Sequence, residues 1–268
     1  MDVDVDEDLL GEMEFLARSS NRLAVLRATA DGPRTRGEVA VAIDASQPTL
    51  GRVLDDLTER GWLAREADGY RLTASGRMVL RAVDDLLETL SVERRLRDVV
   101  AYLPTAEFDF GLERFAGATV TTPTPTRPDA PVRRMTELLA RADHVRVVSY
   151  ALNEAKLDLM ADRVGEDLTV EGVFSREALD AVAADPTLGE QLRDLLGHDA
   201  AAVRIYDDEI PVALEITDDR VHLLCRDEAG LVRAAVDTDD PVVREWAIET
   251  HERYWERADP FEPPAVGR

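Results

Sequence analysis

Cysteine and lysine are almost missing from this sequence of 268 residues. The one cysteine, Cys225, has no partner for an internal disulfide, which excludes a stapled secreted scaffold and fits a reducing cytosol. Lys156 is the only lysine, so 31 of the 32 basic side chains are arginines. No run of eighteen apolar residues occurs, so neither a membrane-spanning helix nor a membrane partner is expected. The opening MDVDVDEDLL lacks a basic region followed by an apolar one, so no signal peptide is expected and the location reads as cytoplasmic. Acid is present in excess: 55 Asp and Glu against those 32 bases leave a net charge of −23. Few lysines beside many carboxylates read as adaptation to a salt-rich cytoplasm, where ions screen the self-repulsion. The length suits one large or two modest domains with a core that needs no metal.

The charge is unevenly spread. Between Arg18 and Arg81 lie 11 arginines and 8 acids, so this window is positive while the remaining 204 residues carry all the negative excess. A polyanion is tolerated best there. Phe15, Leu16, Leu23, Val25, Leu26 and Ala30 keep helical spacing, and Asp31-Gly32-Pro33 ends that helix. Thr35 is placed to cap a short second helix, with Glu38 as its capping-box partner. After a turn at Asp44-Ala45, Ser46 caps a third helix over 47–60 that buries Leu50, Val53, Leu54 and Leu57 and stops at Gly61. Residues 62–65 and 70–73 then flank a hairpin turn through Asp68-Gly69. Helix, short helix, turn, helix and ribbon predict an α+β winged helix-turn-helix domain over 11–74.

The stretch GPRTRGEVAVAIDASQPTLGRVLDDLTERGWLAREADGYRLTASG resembles archaeal winged-helix regulators of the MarR/ArsR/TrmB type. Within that group it is most similar to haloarchaeal regulators that join such a domain to a FilR1-type (methanogenesis regulatory protein) C-terminal domain. The second half, including EIPVALEITDDRVHLLCRDEAGLVRAAVDTDDPVVREWA, resembles that domain more loosely. The resemblance implies DNA binding by the first part and effector sensing by the second.

The residues support the first implication on their own. With the apolar side of the third helix buried, Gln47, Thr49 and Arg52 face outward near its start, where a recognition helix meets base edges. Ser46 and the free N–H groups at the helix start suit a phosphate, as do Arg34 and Thr35 at the start of the second helix. Arg65 and Arg71 sit on the wing. Double-stranded DNA is therefore the expected partner. A long helix over 75–103 carries Val79, Val83, Leu86 and Leu90 on an apolar face wider than the small domain covers, which predicts a homodimer.

Residues 104–131 read as a connector, because Thr and Pro crowd its second half. From 132 to 260, strands at 145–149, 168–174 and 203–206 alternate with helical patterns, implying parallel βαβ units. Strands at 212–216, 221–225 and 231–236 follow, separated by turns, and a last helix spans 241–258, so the domain is mixed α/β. Ligands of parallel sheets sit beyond the carboxyl ends of the strands. Those ends hold Ser149, Tyr150, Asn153, Ser175, Arg176 and Tyr206, which predict a polar effector site; Arg176 at a helix start favours an anionic metabolite such as a sugar phosphate. No metal-ligand spacing, phosphate loop, dinucleotide motif or nucleophile elbow is found, and Cys225 reads as a core thiol. Lys156 follows Glu154 where the phospholipase D signature would need His. Neither catalysis nor a cofactor is expected. A hydrolase or transferase that uses the winged helix for docking, and a ligand-independent architectural DNA-binding protein, stand as the alternatives.

Overall fold

The structure, a computed structural model, describes residues 6–43, 45–152 and 154–262, and the chain divides into two units between Leu90 and Ser91. In the first unit, Asp6 accepts a hydrogen bond from the Leu9 N–H at 2.7 Å and starts α1 (Glu7–Ala17). An extended Ser19 separates it from α2 (Ser20–Ala28). The apolar spacing through 15–30 predicts one helix; the structure has two, because the extended backbone of Ser19 interrupts the helix while the apolar period continues past the break. The Arg22 and Arg60 guanidinium groups both lie over the Phe15 ring, 3.7 and 3.5 Å from its centroid, at that corner.

α3 (Arg36–Ala42) begins with the expected capping box, in which Thr35 and Glu38 satisfy each other's backbone N–H groups. Asp44 lies outside the described residues, so the predicted turn there is described only from Ala45 onward. α4 (Gln47–Glu59) is capped by Ser46, carries Pro48 in its first turn, and buries Leu50, Val53, Leu54 and Leu57. Burial of each such side chain contributes about 1.5–3 kcal/mol, so this face fixes the helix against α2. Gly61, at φ +69°, takes the left-handed position that ends α4. β1 (Leu63–Glu66) and β2 (Gly69–Leu72) pair antiparallel. Arg34 joins them as a third, one-residue strand through two backbone hydrogen bonds with Tyr70. Gly69 is required there: its φ is +136°, and a Cβ would meet the Arg34 carbonyl oxygen at 2.3 Å.

α5 (Ala74–Leu96) stops seven residues short of the expected end, and Val100–Tyr102 form a separate 3-10 turn. Val79 and Val83 pack against the core of the first unit, which corrects their assignment to a dimer face. Leu86, Leu87 and Leu90 are 43, 40 and 52 % exposed.

The second unit is built on an eight-stranded sheet. Its members are β3 (Thr119–Thr121), β4 (His144–Ser149), β5 (Thr169–Ser175), β6 (Ala201–Tyr206), β7 (Leu214–Thr217), β8 (Arg220–Arg226), β9 (Val232–Thr238) and β10 (Asp259–Pro260). The order is β10-β6-β5-β4-β7-β8-β9-β3, with β4, β5 and β6 parallel and all other neighbours antiparallel. α6 (Ala130–Leu139), α7 (Glu154–Arg163), α8 (Arg176–Ala184) and α9 (Pro186–Leu196) bury one face of the sheet, where Val147, Val170 and Phe174 meet Leu139, Leu157 and Leu192. α10 (Pro241–Arg257) covers the other, where Trp246 and Tyr254 meet Val148, Val173 and Leu214. The mixed α/β architecture matches the expectation.

The predicted connector is part of this unit. Phe115 is fully buried, Phe108 stacks on Phe110 at 4.8 Å, both lie against Trp246, and the indole N–H of Trp246 donates to the Glu107 carbonyl at 2.8 Å. β3 then pairs with β9 at the sheet edge. The prolines of 116–131 follow this packed segment and mark the turns around β3 and the start of α6, not a flexible link.

Candidate functional site

The first candidate surface is the start of α4. Gln47 and Arg52 are exposed, Thr49 is half-buried, and Arg52 forms no ion pair or hydrogen bond among the described residues. The hydroxyls of Ser46 and Thr49 lie 2.9 Å apart. The acids on later turns are turned aside in part: Asp56 pairs with Arg22 at 3.6 Å, inside the unit. Arg34 keeps an exposed head 3.9 Å from Glu38, and the Thr35 hydroxyl is bound to Glu38 at 2.9 Å, so Thr35 serves its helix cap. On the wing, Arg65 is exposed and unpaired among the described residues, whereas Arg71 is held by Glu66 at 2.9 Å. Sequence reasoning missed Arg36. Its guanidinium crosses from α3 to donate to the Gln47 carbonyl at 2.9 Å, adding a cation beside the α4 start. The glycine at 51, on the same helix, was the available signal.

The second candidate lies beyond the carboxyl ends of β4, β5 and β6. Tyr150, Ser175 and Arg176 line one open cleft of about 840 Å³ with Asp207, Asp208 and Glu209. The other expected residues do not join them. The Ser149 hydroxyl closes a turn with Ala151, donating to its carbonyl at 2.7 Å, and Tyr206 is buried edge-on against Tyr254. Asn153 lies outside the described residues. Ser175 caps α8, accepting from the Ala178 N–H at 3.3 Å. Arg176 is bound to Asp207 at 2.6 Å, and the cleft holds five carboxylates to this one cation. That balance corrects the expectation of an anionic metabolite: a neutral or cationic polar molecule suits these walls, since like charges there repel an anion.

A third group was not expected. Glu215, His222 and Asp237 face one another in register across β7, β8 and β9, on the sheet face covered by α6 and α7, and all three are buried. Glu215 forms an ion pair with Lys156 of α7. Asp237 accepts from Arg134 of α6 at 2.8 Å and from Arg220 at 2.9 Å. Burial pushes the Asp237 carboxyl up, but these guanidinium groups outweigh it and hold the carboxyl below its usual range. Burial drives His222 down to about 4, so the imidazole is neutral, with Nε2 at 2.5 Å from the Thr217 hydroxyl. The sequence signal was three polar residues interrupting apolar strands; their register across the sheet was not readable. Among the described residues no cluster of His, Cys, Asp and Glu is arranged to hold a metal ion. Cys225 is buried, and burial pushes its thiol up to about 12, as a core thiol requires.

Residues 10–95 match the family model of the HVO_A0261 N-terminal domain, and residues 128–257 match that of the middle domain of the methanogenesis regulatory protein FilR1. Among curated proteins none matches the chain. Among solved structures, the archaeal chromatin protein TrmBL2 is 17 % identical and aligns over 96 % of this chain and 100 % of its own, at a TM-score of 0.43. Nuc, a phospholipase D family member from Salmonella typhimurium, is 13 % identical over 54 % of this chain and 99 % of its own, also at 0.43. A putative O-methyltransferase from Nostoc punctiforme is 14 % identical over 76 % of this chain and 66 % of its own, at 0.25. Structural likenesses this distant do not bear on function. The two family models do, and they follow one another along one chain: an HVO_A0261-type N-terminal domain over residues 10–95 and a domain of the FilR1 middle-domain type over residues 128–257.

Proposed function

We propose that this chain is a sequence-specific, double-stranded-DNA-binding transcription regulator whose second unit responds to a small molecule. The observation that carries the DNA reading is the α4 start, where Gln47 and Arg52 stand exposed and Arg52 has no acid partner among the described residues. In a chain of net charge −23 that places an uncompensated cation where a recognition helix enters the major groove. Arg52 suits a bidentate contact to guanine and Gln47 one to adenine. Arg34, Arg36 and Arg65 suit phosphates on either side.

Salt sets the balance between these roles. Each neutralised phosphate steepens the fall of log K with log salt by about 0.9, so in a saline cytoplasm base contacts and dimerisation must supply most of the affinity. The exposed Leu86, Leu87 and Leu90 on α5 offer a homodimer surface for that purpose. The cleft beside Tyr150, Ser175 and Arg176 is the proposed sensor site, for a neutral or cationic polar metabolite.

The test begins with genome-wide mapping of bound sites and fluorescence anisotropy on the recovered duplex. Tight binding there, and loss on a scrambled duplex, is the expected result; equal affinity for both refutes sequence-specific regulation. Thermal-shift titration with sugars, polyamines and sugar phosphates then addresses the sensor. Stabilisation by an uncharged or cationic compound, reduced by Arg176→Ala, supports the cleft, and equal stabilisation of both proteins places the ligand elsewhere.

A further inference from the structure

Met78, Ala82, Leu86 and Leu90 follow one another at intervals of four along α5, so they form one row, about 18 Å long, on a single side of the helix. All four are exposed, Met78 at 68 %. The charges beside the row are sorted along the helix. Residues 74–83 hold two arginines, Arg77 and Arg81, and no carboxylate; residues 84–90 hold Asp84, Asp85 and Glu88 and no cation. Arg77 and Asp84 are engaged inside the first unit, with the Ala30 carbonyl and with Arg27. The charged groups of Arg81, Asp85 and Glu88 are exposed and make no ion pair or hydrogen bond among the described residues. Arg81 and Glu88 are seven positions apart, two helical turns, so both flank the row on the same side.

The pattern is self-complementary in one direction only. Laid antiparallel on a second copy, with the two-fold axis at the level of Asp84, Met78 meets Leu90 and Ala82 meets Leu86. The small Ala82 opposite Leu86 lets the two rows interdigitate. Arg81 of each copy then faces Asp85 and Glu88 of the other. A parallel pair would instead set the two arginine-bearing halves side by side and the two carboxylate-bearing halves likewise, and like charges repel. We propose that α5 pairs antiparallel with α5 of a second copy of this chain through the row from Met78 to Leu90, and that two Arg81–Glu88 ion pairs across the two-fold axis set its direction. An isologous contact of this kind closes at two copies. The inference rests on the homodimer reading of α5 and adds to it the orientation, the register and the charged pair that selects them.

The experiment is disulfide cross-linking of two full-length chains, one carrying Met78→Cys and the other Leu90→Cys, co-expressed with different tags; the wild type, whose Cys225 is buried, is the blank. The mixed 78–90 cross-link should predominate. Predominance of 78–78 and 90–90 cross-links shows a parallel pair and overturns the proposal while leaving the homodimer standing. A dimeric mass without cross-links places the contact elsewhere and overturns it too, and a monomeric mass for the wild type in light scattering overturns the homodimer reading with it. Charge reversal tests the selecting pair. At the lowest salt that keeps the fold, where exposed ion pairs are least screened, Arg81→Glu and Glu88→Arg should each weaken dimerisation about tenfold, the scale of two exposed pairs turned to repulsion. The double variant Arg81→Glu/Glu88→Arg should restore it. A double variant as weak as the singles, or singles as tight as the wild type, refutes the Arg81–Glu88 pairing.

Discussion

Arg36 lies across Gly51: a Cβ built on the glycine would meet the arginine Nη2 at 3.1 Å, while that same nitrogen donates to the Gln47 carbonyl at 2.9 Å. The glycine sits inside α4, where it costs about 1 kcal/mol relative to alanine. The crowding atom is the end of a flexible, exposed side chain that yields by a few tenths of an ångström. Gly51→Ala should therefore stabilise the N-terminal unit by about 0.5–1 kcal/mol in chemical denaturation. A destabilised variant would show instead that Arg36 is locked in place.

The arginines and the glutamine at this surface separate by the type of contact each makes. Gln47→Ala and Arg52→Ala should each cost about 1–3 kcal/mol on the specific duplex and relax preference at one base pair. Arg65→Ala should weaken specific and random duplexes alike and lower the salt slope by about 1. Arg71 is tied to Glu66, so Arg71→Ala should do less than Arg65→Ala. Anisotropy on both duplexes across a salt series measures all four, and a uniform loss for Arg52→Ala would move it to phosphate.

How legible these features were followed the range of the interactions. The caps at Thr35 and Ser46, the stop at Gly61 and the wing turn at Gly69 are local, and each was readable within four residues. The aromatic knot was not, because Phe108, Phe110 and Phe115 find Trp246 more than 130 positions away, and a Pro- and Thr-rich tail beside them suggests a linker. The proposed sensor cleft was half legible. Strand ends were placed correctly, but Ser149 and Tyr206 turned inward, and the acids at 207–209 come from a loop whose position depends on β6 and β7. The Glu215–His222–Asp237 row needed strand register, which spacing alone does not contain.

Dimerisation can now be tested without damage to the domain core. Val79 and Val83 support the first unit, so substitutions there confound folding with assembly. Leu86 and Leu90 are 43 and 52 % exposed, and replacing both with arginine removes apolar surface while leaving the core intact. Light scattering in high salt should find Leu86→Arg/Leu90→Arg monomeric, with an unchanged melting profile for the first unit at high dilution and weak operator binding. A doubled mass identical to wild type would exclude this face as the dimer contact.

The buried histidine gives the fold a defined acid limit. His222 is held neutral down to about pH 4, mainly by burial, while Glu215 and Asp237 pull it upward and Lys156 and Arg220 push it down. An unfolded histidine takes a proton near pH 6.5. Between those values the unfolded chain binds the additional proton, so stability falls as pH drops from about 6.5 to 4 and levels off, for this group, below that. The shift corresponds to roughly 3 kcal/mol. Asp237 acts in the same direction at lower pH, because its carboxyl is held below its usual range and loses its stabilising contribution as it is protonated. His222→Gln can keep a hydrogen bond to Thr217 without titrating. Denaturant unfolding at constant salt should therefore show the wild type losing about 3 kcal/mol more than His222→Gln between pH 7 and 4. Parallel pH profiles for the two proteins would mean that His222 protonates normally and that water reaches the sheet face beneath α6.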